Sequence, residues 1–411
     1  MKINNFLQRC NFIDLKIKEI KKIEYFINKN GGKLFIVGGN VRDLILNRNI
    51  SSNPDLATDI KTKLVLKSLD QGKIKYSKVG LSFGSIAARI SSVDFDITSM
   101  RKDIKTDGRW AEIEPTDDIL EDASRRDFTI NAIYCDTKGN LYDPLNGIDD
   151  LRNSRVKFIG EPEKRIKEDY LRILRFFRFT FFYASKLDPD GLKSCEKYKG
   201  KIKILSFERR MMELKKILLL ENMETKSRIL NIRKFIEVTL GCKINYKDFE
   251  RLCKIERFLD SVCFQRRVKY LIGCNRKPKI PFEKIDKKFK ERLQVKESFI
   301  HYTHQELNAI LYFSPKDYVL DQLIFDYLNK VISKKKLSKL VEIVRRFKKK
   351  IFPLSGNDLI GRGFHPGKKM GKTLRKVEQW WVKKNFLPTK VDCINFVEDM
   401  NSIDLPRNKR R

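Results

Sequence analysis

The hydrophobic period changes once along this chain, and that change limits the fold more than any other feature. Up to about residue 150, short apolar runs of strand length alternate with glycine turns and brief amphipathic stretches. From Glu161 onward the spacing is helical and stays so. In the first part, residues 14–30 read as a basic amphipathic helix closed by Gly31 and Gly32. KLFIV (33–37) reads as a short apolar strand, and GGNVRDLILN as a glycine turn entering a helix. KIKYSKV, SIAARI and VDFDITSM alternate like strands, and TDDILEDASRRDFTINAIYCD returns to a helix followed by a strand. The expectation for 1–150 is an α/β domain with a small mixed sheet. The second part opens with EKRIKEDYLRILRFFRFTFFYA, read as one long basic-aromatic helix. SFERRMMELKKILLL follows with a Ser-x-Glu capping signal. Proline-containing breaks at 278–281, 314–315 and 353 separate further helices. Gly356, Gly361, Gly363 and Gly367 punctuate a loop before LRKVEQWWVKKNF, read as the last strong helix.

The chain has 411 residues, enough for about two to four domains. Its net charge of +35 favours a polyanionic partner, because each neutralised phosphate releases counterions. No run of eighteen apolar residues occurs, so no membrane span is expected, and the N-terminal stretch lacks the apolar core of a signal peptide. Eight cysteines without a C-x-x-C suit reduced thiols in a cytoplasmic protein and offer no zinc framework. Of the three histidines, His301 and His304 have i,i+3 spacing but no third ligand. Carboxylates, arginines and metal ions therefore have to carry the chemistry.

A strand ending in Gly38-Gly39 and opening a helix lets backbone N–H groups approach a phosphate, with Arg42 one turn further in. Nucleotidyl transfer is an in-line attack on an α-phosphate assisted by magnesium, which takes oxygen ligands. Two carboxylates at i,i+2 on a strand share a face and can share ions. In NPDLAT, Asp55 is present, but Asn53 stands where its partner is expected. In VDFDITSMRKD, Asp94 and Asp96 share a face, and Asp96 is the candidate third ligand.

Five blocks, FIVGGNVRDLILNRN…NPDLATD, DITSMRKD…TDGR, EDASRRDFTINAIYCD…GNLYDPLNGIDDL, RIKEDYLRILRFFRF and SFERRMMELKKIL, together resemble the successive motifs of the class II tRNA nucleotidyltransferase/poly(A) polymerase family. They cover about 33–218 in order. The resemblance implies a nucleotidyltransferase-like α/β head over 1–150, a helical neck that recognises the base over 151–220, a helical body over 221–290 and a helical tail that binds tRNA over 291–411. It implies Mg2+ held by Asp55, Asp96 and the Asn53 position, with CTP and ATP as substrates and the 3′ end of tRNA as acceptor. Gly38, Gly39 and Arg42 would meet the triphosphate. Arg126, Asp127 and Asn131 would hold ribose and phosphates, and Asp169, Arg172, Arg175 and Arg178 would line the nucleotide pocket. No obligate protein partner is evident.

An Asp169 acceptor one turn from an Arg172 donor matches the amino group and ring nitrogen that cytosine and adenine both present, and mismatches uracil and guanine. On one continuous helix, Asp169 and Arg178 would point to nearly opposite sides, leaving Arg178 a bracing role and Arg175 a phosphate contact. GRGFHPGKKMGKTLRK fails as a phosphate loop, since Pro366 occupies the first glycine position. Its Lys368, Lys369 and Lys372 are candidates for gripping RNA backbone. Three readings of Asn53 stay open: an active enzyme that tolerates it, a weakened RNA-binding paralogue, or a change introduced to stop turnover. Poly(A) addition and A-only or CC-only addition are the enzymatic alternatives to CCA addition.

Overall fold

A computed structural model describes residues 16–48, 53–78, 81, 84–107, 110–223, 225–272 and 303–403. The chain divides into two units, Met1–Cys242 and Lys243–Arg411.

In the first unit, helix α1 (Ile17–Lys29) buries Ile20, Ile23 and Ile27, the i, i+3, i+7 stripe that its spacing dictates. Strand β1 (Leu34–Val37) is buried throughout because it lies inside the sheet. Helix α2 (Gly39–Ile45) follows directly, and Gly38 between them has φ of 72°, a turn that favours glycine. Strand β2 (Asp55–Thr58), helix α3 (Thr62–Gln71) and strands β3 (Lys75–Ser77), β4 (Ser85–Ile90) and β5 (Val93–Ser99) come next. A separate hairpin of β6 (Arg101–Asp107) and β7 (Trp110–Pro115) leads into helix α4 (Ile119–Ser124), a 3₁₀ turn at Thr129–Asn131, and strands β8 (Tyr134–Cys135) and β9 (Leu141–Tyr142). The main sheet runs β3-β4-β5-β2-β1-β8-β9. It is mixed: β2 and β5 are parallel, and the other pairs are antiparallel. Phe35, Val37, Ala57, Met100, Ala123, Ala132, Tyr134 and Ile159 form a core beside it.

Helices α5 (Gly147–Arg152), α6 (Pro162–Glu168), α7 (Leu171–Tyr183), α8 (Pro189–Tyr198), α9 (Phe207–Leu218) and α10 (Lys226–Leu240) complete the unit. The expected single helix through residues 163–184 is thus two. Asp169 is extended, with φ of −156° and ψ of 108°, and its side chain accepts from the backbone N–H of Leu171 at 3.1 Å. A short polar side chain that bonds its own backbone two residues on competes with helix continuation and restarts the helix instead.

The second unit is helical in its described part, over Tyr246–Phe258, Phe264–Ile272, His304–Phe313, Lys316–Leu328, Lys334–Arg346, Gly356–Ile360, Lys368–Lys383 and Lys390–Ile403. The Ser314-Pro315 and Pro353 breaks fall between helices as expected. The break expected at 278–281 lies outside the described residues, as does His301. The helix ending at Lys383 is not the last, since Lys390–Ile403 follows it. Trp381 is buried and donates to the Pro388 carbonyl at 2.9 Å, while Trp380 stacks on Phe396 at 4.3 Å between ring centroids. Both indoles are structural.

The start of α5 presses on the 3₁₀ turn that carries Asn131. A Cβ at Gly147 would stand 2.3 Å from the Thr129 carbonyl oxygen. Backbone on backbone cannot yield as a side-chain tip can. Gly147→Ala is expected to destabilise the protein by about 1–3 kcal/mol or more, read as a lower urea midpoint.

Candidate active site

Parallel pairing sets Asp55 of β2 directly beside Asp96 of β5. Cross-strand partners lie about 4.8 Å apart and point to the same face, so both carboxylates can reach one ion. The Asp55 carboxyl is raised above its ordinary range, first by desolvation and then by the like charge of Asp96, with Arg126 opposing. Two carboxylates that disfavour each other's charge suit a divalent cation. Among the described residues, no group of three or more His, Cys, Asp or Glu side chains stands ready to cage a metal. Asn53 is exposed just ahead of Pro54 and β2. Asp94 pairs instead with Arg89, at 3.5 Å. Asp59 is at the other end of β2, where it accepts from the Lys33 amide, so it does not replace Asn53.

A cavity of about 650 Å³ opens beside Asp55. Gly38, Gly39, Arg42, Asp55, Arg126, Asp127, Asn131, Asp169, Arg172, Arg175 and Arg178 all line it. Asp96 is exposed beside Asp55 but is not among the lining residues. The expected divergence of Asp169 and Arg178 therefore does not occur. The helix break at Asp169 takes that residue off the 3.6-residue spiral and turns it toward the side that Arg178 faces.

The cations of the cavity are tethered by carboxylates. Asp127 is buried: its Oδ1 accepts from the Phe128 amide at 3.0 Å and Asn131 Nδ2 at 2.9 Å, and its Oδ2 accepts from Arg175 Nε at 2.7 Å. Burial pushes its carboxyl up, but Arg175 and these bonds outweigh it and hold the group below the usual range. Arg42 donates to Asn131 and lies over the rings of Phe179 and Tyr183. Arg178 meets Glu213 of α9 at 2.9 Å, so it braces α9 and lines the cavity at once. Arg172 donates to Glu168 at 2.5 Å, Arg165 O at 3.0 Å and Arg125 O at 3.1 Å. That employs three of its five N–H donors.

Sequence reasoning missed Asp122, Arg125, Phe179, Phe182, Tyr183, Lys216 and Leu220. Asp122 is 1% exposed and accepts from Arg125 at 2.6 Å, Arg126 at 3.0 Å and the Tyr134 hydroxyl at 2.6 Å. Its i,i+3 and i,i+4 spacing to the two arginines was the available signal. The aromatics reach the cavity through the turn of α7, which gave no sign in sequence. Lys368, Lys369 and Lys372 lie in the second unit, exposed in the first turns of the helix Lys368–Lys383.

Desolvation would raise the Asp122 carboxyl, but Arg126, Arg125 and Tyr134 lower it to about 2. A depressed folded value gives stability that is complete above the unfolded value near 3.8 and is lost as pH falls toward 2. Asp122→Asn is expected to flatten this acid limb and to cost about 2 kcal/mol at neutral pH, measured by urea unfolding between pH 2 and 7.

Comparison with known proteins places these features in context. A family model described as the poly A polymerase head domain matches residues 34–157. The mitochondrial CCA tRNA nucleotidyltransferase 1 of Danio rerio is 31% identical over 384 residues, covering 89% of this chain and 87% of that protein. The Homo sapiens protein of the same name is 29% identical over 408 residues, covering 95% and 92%. The crystal structure of the Bacillus stearothermophilus CCA-adding enzyme in complex with CTP superposes with a TM-score of 0.65 at 21% identity, over 94% of this chain and 98% of that one, which shows a shared fold.

Proposed function

Since the chain belongs to the tRNA nucleotidyltransferase/poly(A) polymerase family and is a nucleotidyltransferase, we propose that it adds CCA to the 3′ end of tRNA, drawing on CTP and ATP. The observation that carries this reading is the single cavity that joins a carboxylate of the Asp55–Asp96 pair, a row of arginines and an Asp/Arg couple. Its volume, about 650 Å³, suits a nucleoside triphosphate. The names of the Danio rerio and human relatives support tRNA as the acceptor.

In this reading Asp55 and Asp96 hold Mg2+, with the amide oxygen of Asn53 in place of a third carboxylate. Bound there, magnesium would activate the 3′-hydroxyl and neutralise charge on the α-phosphate. The O3′–Pα bond forms, the Pα–O bond to the β-phosphate breaks, and pyrophosphate leaves. Gly38 and Gly39 bring backbone N–H groups to the triphosphate, and Arg42, Arg126 and Arg175 balance its charge, fixed in advance by Asn131, Asp122 and Asp127. Asp127 and Asn131 orient the ribose. Asp169 keeps a lone pair on each oxygen, and Arg172 keeps two N–H donors, which is what the Watson–Crick edges of cytosine and adenine require. Arg178 closes the row. The finer division into head (1–150), neck (151–220), body (221–290) and tail (291–411) belongs to this reading. So does a grip on tRNA backbone by Lys368, Lys369 and Lys372, cations at a helix N-terminus, where the dipole also favours anions.

The six described cysteines are free, which supports a reducing compartment, read here as the cytoplasm. Among the described residues no helix is long and apolar enough to cross a membrane.

A second reading, an impaired RNA-binding paralogue, is favoured by one observation: two carboxylates where a fuller cage is expected. Incubation with tRNA lacking its CCA end, magnesium and each labelled nucleotide separates the possibilities. C followed by A supports CCA addition, long A-only products support a poly(A) polymerase, and binding without incorporation supports the paralogue. Asp55→Ala is expected to lower incorporation by about a hundredfold or more, and Asn53→Asp to raise it, both read in the same assay. Unchanged incorporation by Asp55→Ala would remove the metal assignment.

A further inference from the structure

Asp169 sits in the extended link between α6 and α7, where no helical backbone fixes its side chain. Two bonds do so instead. The Leu171 amide donates to Oδ1 at 3.1 Å, and Arg209 Nη2, from α9, donates to Oδ2 at 2.8 Å. The carboxylate and the guanidinium are 28% and 29% exposed, so neither is locked away from the cavity mouth. Arg209 itself is not among the cavity-lining residues. It is one turn from the Ser206 cap of α9, and the same helix buries Leu214, Ile217 and Leu218. One turn further on, Glu213 takes Arg178 at 2.9 Å and Lys216 at 3.3 Å. Residues at i and i+4 share a helix face. One face of α9 therefore holds the first and the last members of the row Asp169, Arg172, Arg175, Arg178.

We infer that Arg209 is the positioning residue of the base-reading carboxylate, setting the plane of Asp169 so that its remaining lone pairs meet the amino group of an incoming cytosine or adenine. The inference rests on the base-reading role proposed above for Asp169. Arg209 acts in two ways. It restricts rotation of a side chain that its own backbone leaves loose, which matters because selectivity by hydrogen bonding requires donor and acceptor to be aligned within tenths of an ångström. It also balances the Asp169 charge, so that a carboxylate in the cavity does not repel a triphosphate. Uracil and guanine gain nothing from a loosened carboxylate in the correct complex, but they lose less when it can turn aside. Selectivity, more than fold, is the property at stake.

The test uses the full chain and tRNA lacking its CCA end, with single-turnover incorporation of CTP, ATP, UTP and GTP by wild type, Arg209→Ala, Arg209→Lys and Asp169→Ala. For Arg209→Ala, kcat/KM for CTP and ATP is expected to fall about 10- to 100-fold, mainly through KM. The CTP/UTP and ATP/GTP ratios should fall with it. Arg209→Lys should recover part of both, since one N–H bond is what the guanidinium supplies. If Arg209→Ala fails to fold by thermal melting, the Arg209→Lys ratios decide: a partial loss supports the inference and wild-type ratios overturn it. A folded Arg209→Ala that keeps both ratios, while Asp169→Ala loses them, overturns the Arg209 role and leaves the base-reading role standing. A lower KM in Arg209→Ala also overturns it, because Arg209 would then be competing with nucleotide. Retained ratios in Asp169→Ala remove the base-reading role, and this inference with it.

Discussion

The buried carboxylate of Asp127 is the constraint on which the arrangement of the first unit depends. One oxygen belongs to the sheet side, accepting from Phe128 and Asn131; the other belongs to Arg175 of α7. From Asn131 the chain of contacts continues to Arg42 of α2, and from Arg175 it leans toward Glu213, at 3.9 Å, and so to Arg178. A buried ion pair is a weak source of net stability, yet removing one partner typically costs about 3–5 kcal/mol, because the survivor is left charged and dry. The sheet, α7 and α9 are thereby held in one relation. The cavity between them is a consequence of that relation and not a gap left by poor packing.

The same logic explains how so many arginines share one cavity before any anion arrives. Each is assigned a carboxylate that is itself mostly enclosed: Arg125 and Arg126 to Asp122, Arg175 to Asp127, Arg178 to Glu213, Arg172 to Glu168. Mutual repulsion is cancelled locally, and each guanidinium keeps some of its five donors. In the proposed reading, a triphosphate would meet oriented dipoles that need little reorganisation on binding. The aromatic rings of Phe179 and Tyr183 serve the same end at Arg42, where they cover a buried side chain with π faces.

Much of this was legible in the sequence because it is local. Glycines after an apolar strand, alternation in VDFDITS and the arginines of SRRD announce their geometry within a few residues, and the parallel neighbour of Asp55 proved to be Asp96. What was not legible was long-range or competitive. Asp169 sits in a stretch with helical spacing on both sides, yet it is extended and bonds the Leu171 amide where the helix stops. Reading that segment as one helix set Asp169 on the side opposite Arg178, whereas both line the cavity. The roles of Arg209 and Glu213 depend on partners some forty residues away in sequence, which no spacing rule connects. Asp122 lay between these cases: its arginines are three and four residues on, but its burial is a tertiary fact.

The two ends of the cavity are built to different standards, and the difference bears on Asn53. At the Asp169 end, that residue has two fasteners, Arg172 three acceptors and Arg178 a buried partner, so no single loss there frees the whole row. At the other end, Asp55 lines the cavity with Asp96 beside it on β5, and it is shifted toward its neutral form by desolvation and by Asp96, with Arg126 opposing. In the proposed reading, a third carboxylate at position 53 would add to that repulsion and to the affinity for a divalent cation. In that reading an amide there would ease the repulsion and hold a divalent cation less tightly. In the proposed reading, Asn53 would act on metal occupancy and leave the selection of the nucleotide to Asp169, in the link before α7, and to residues of α7 and α9.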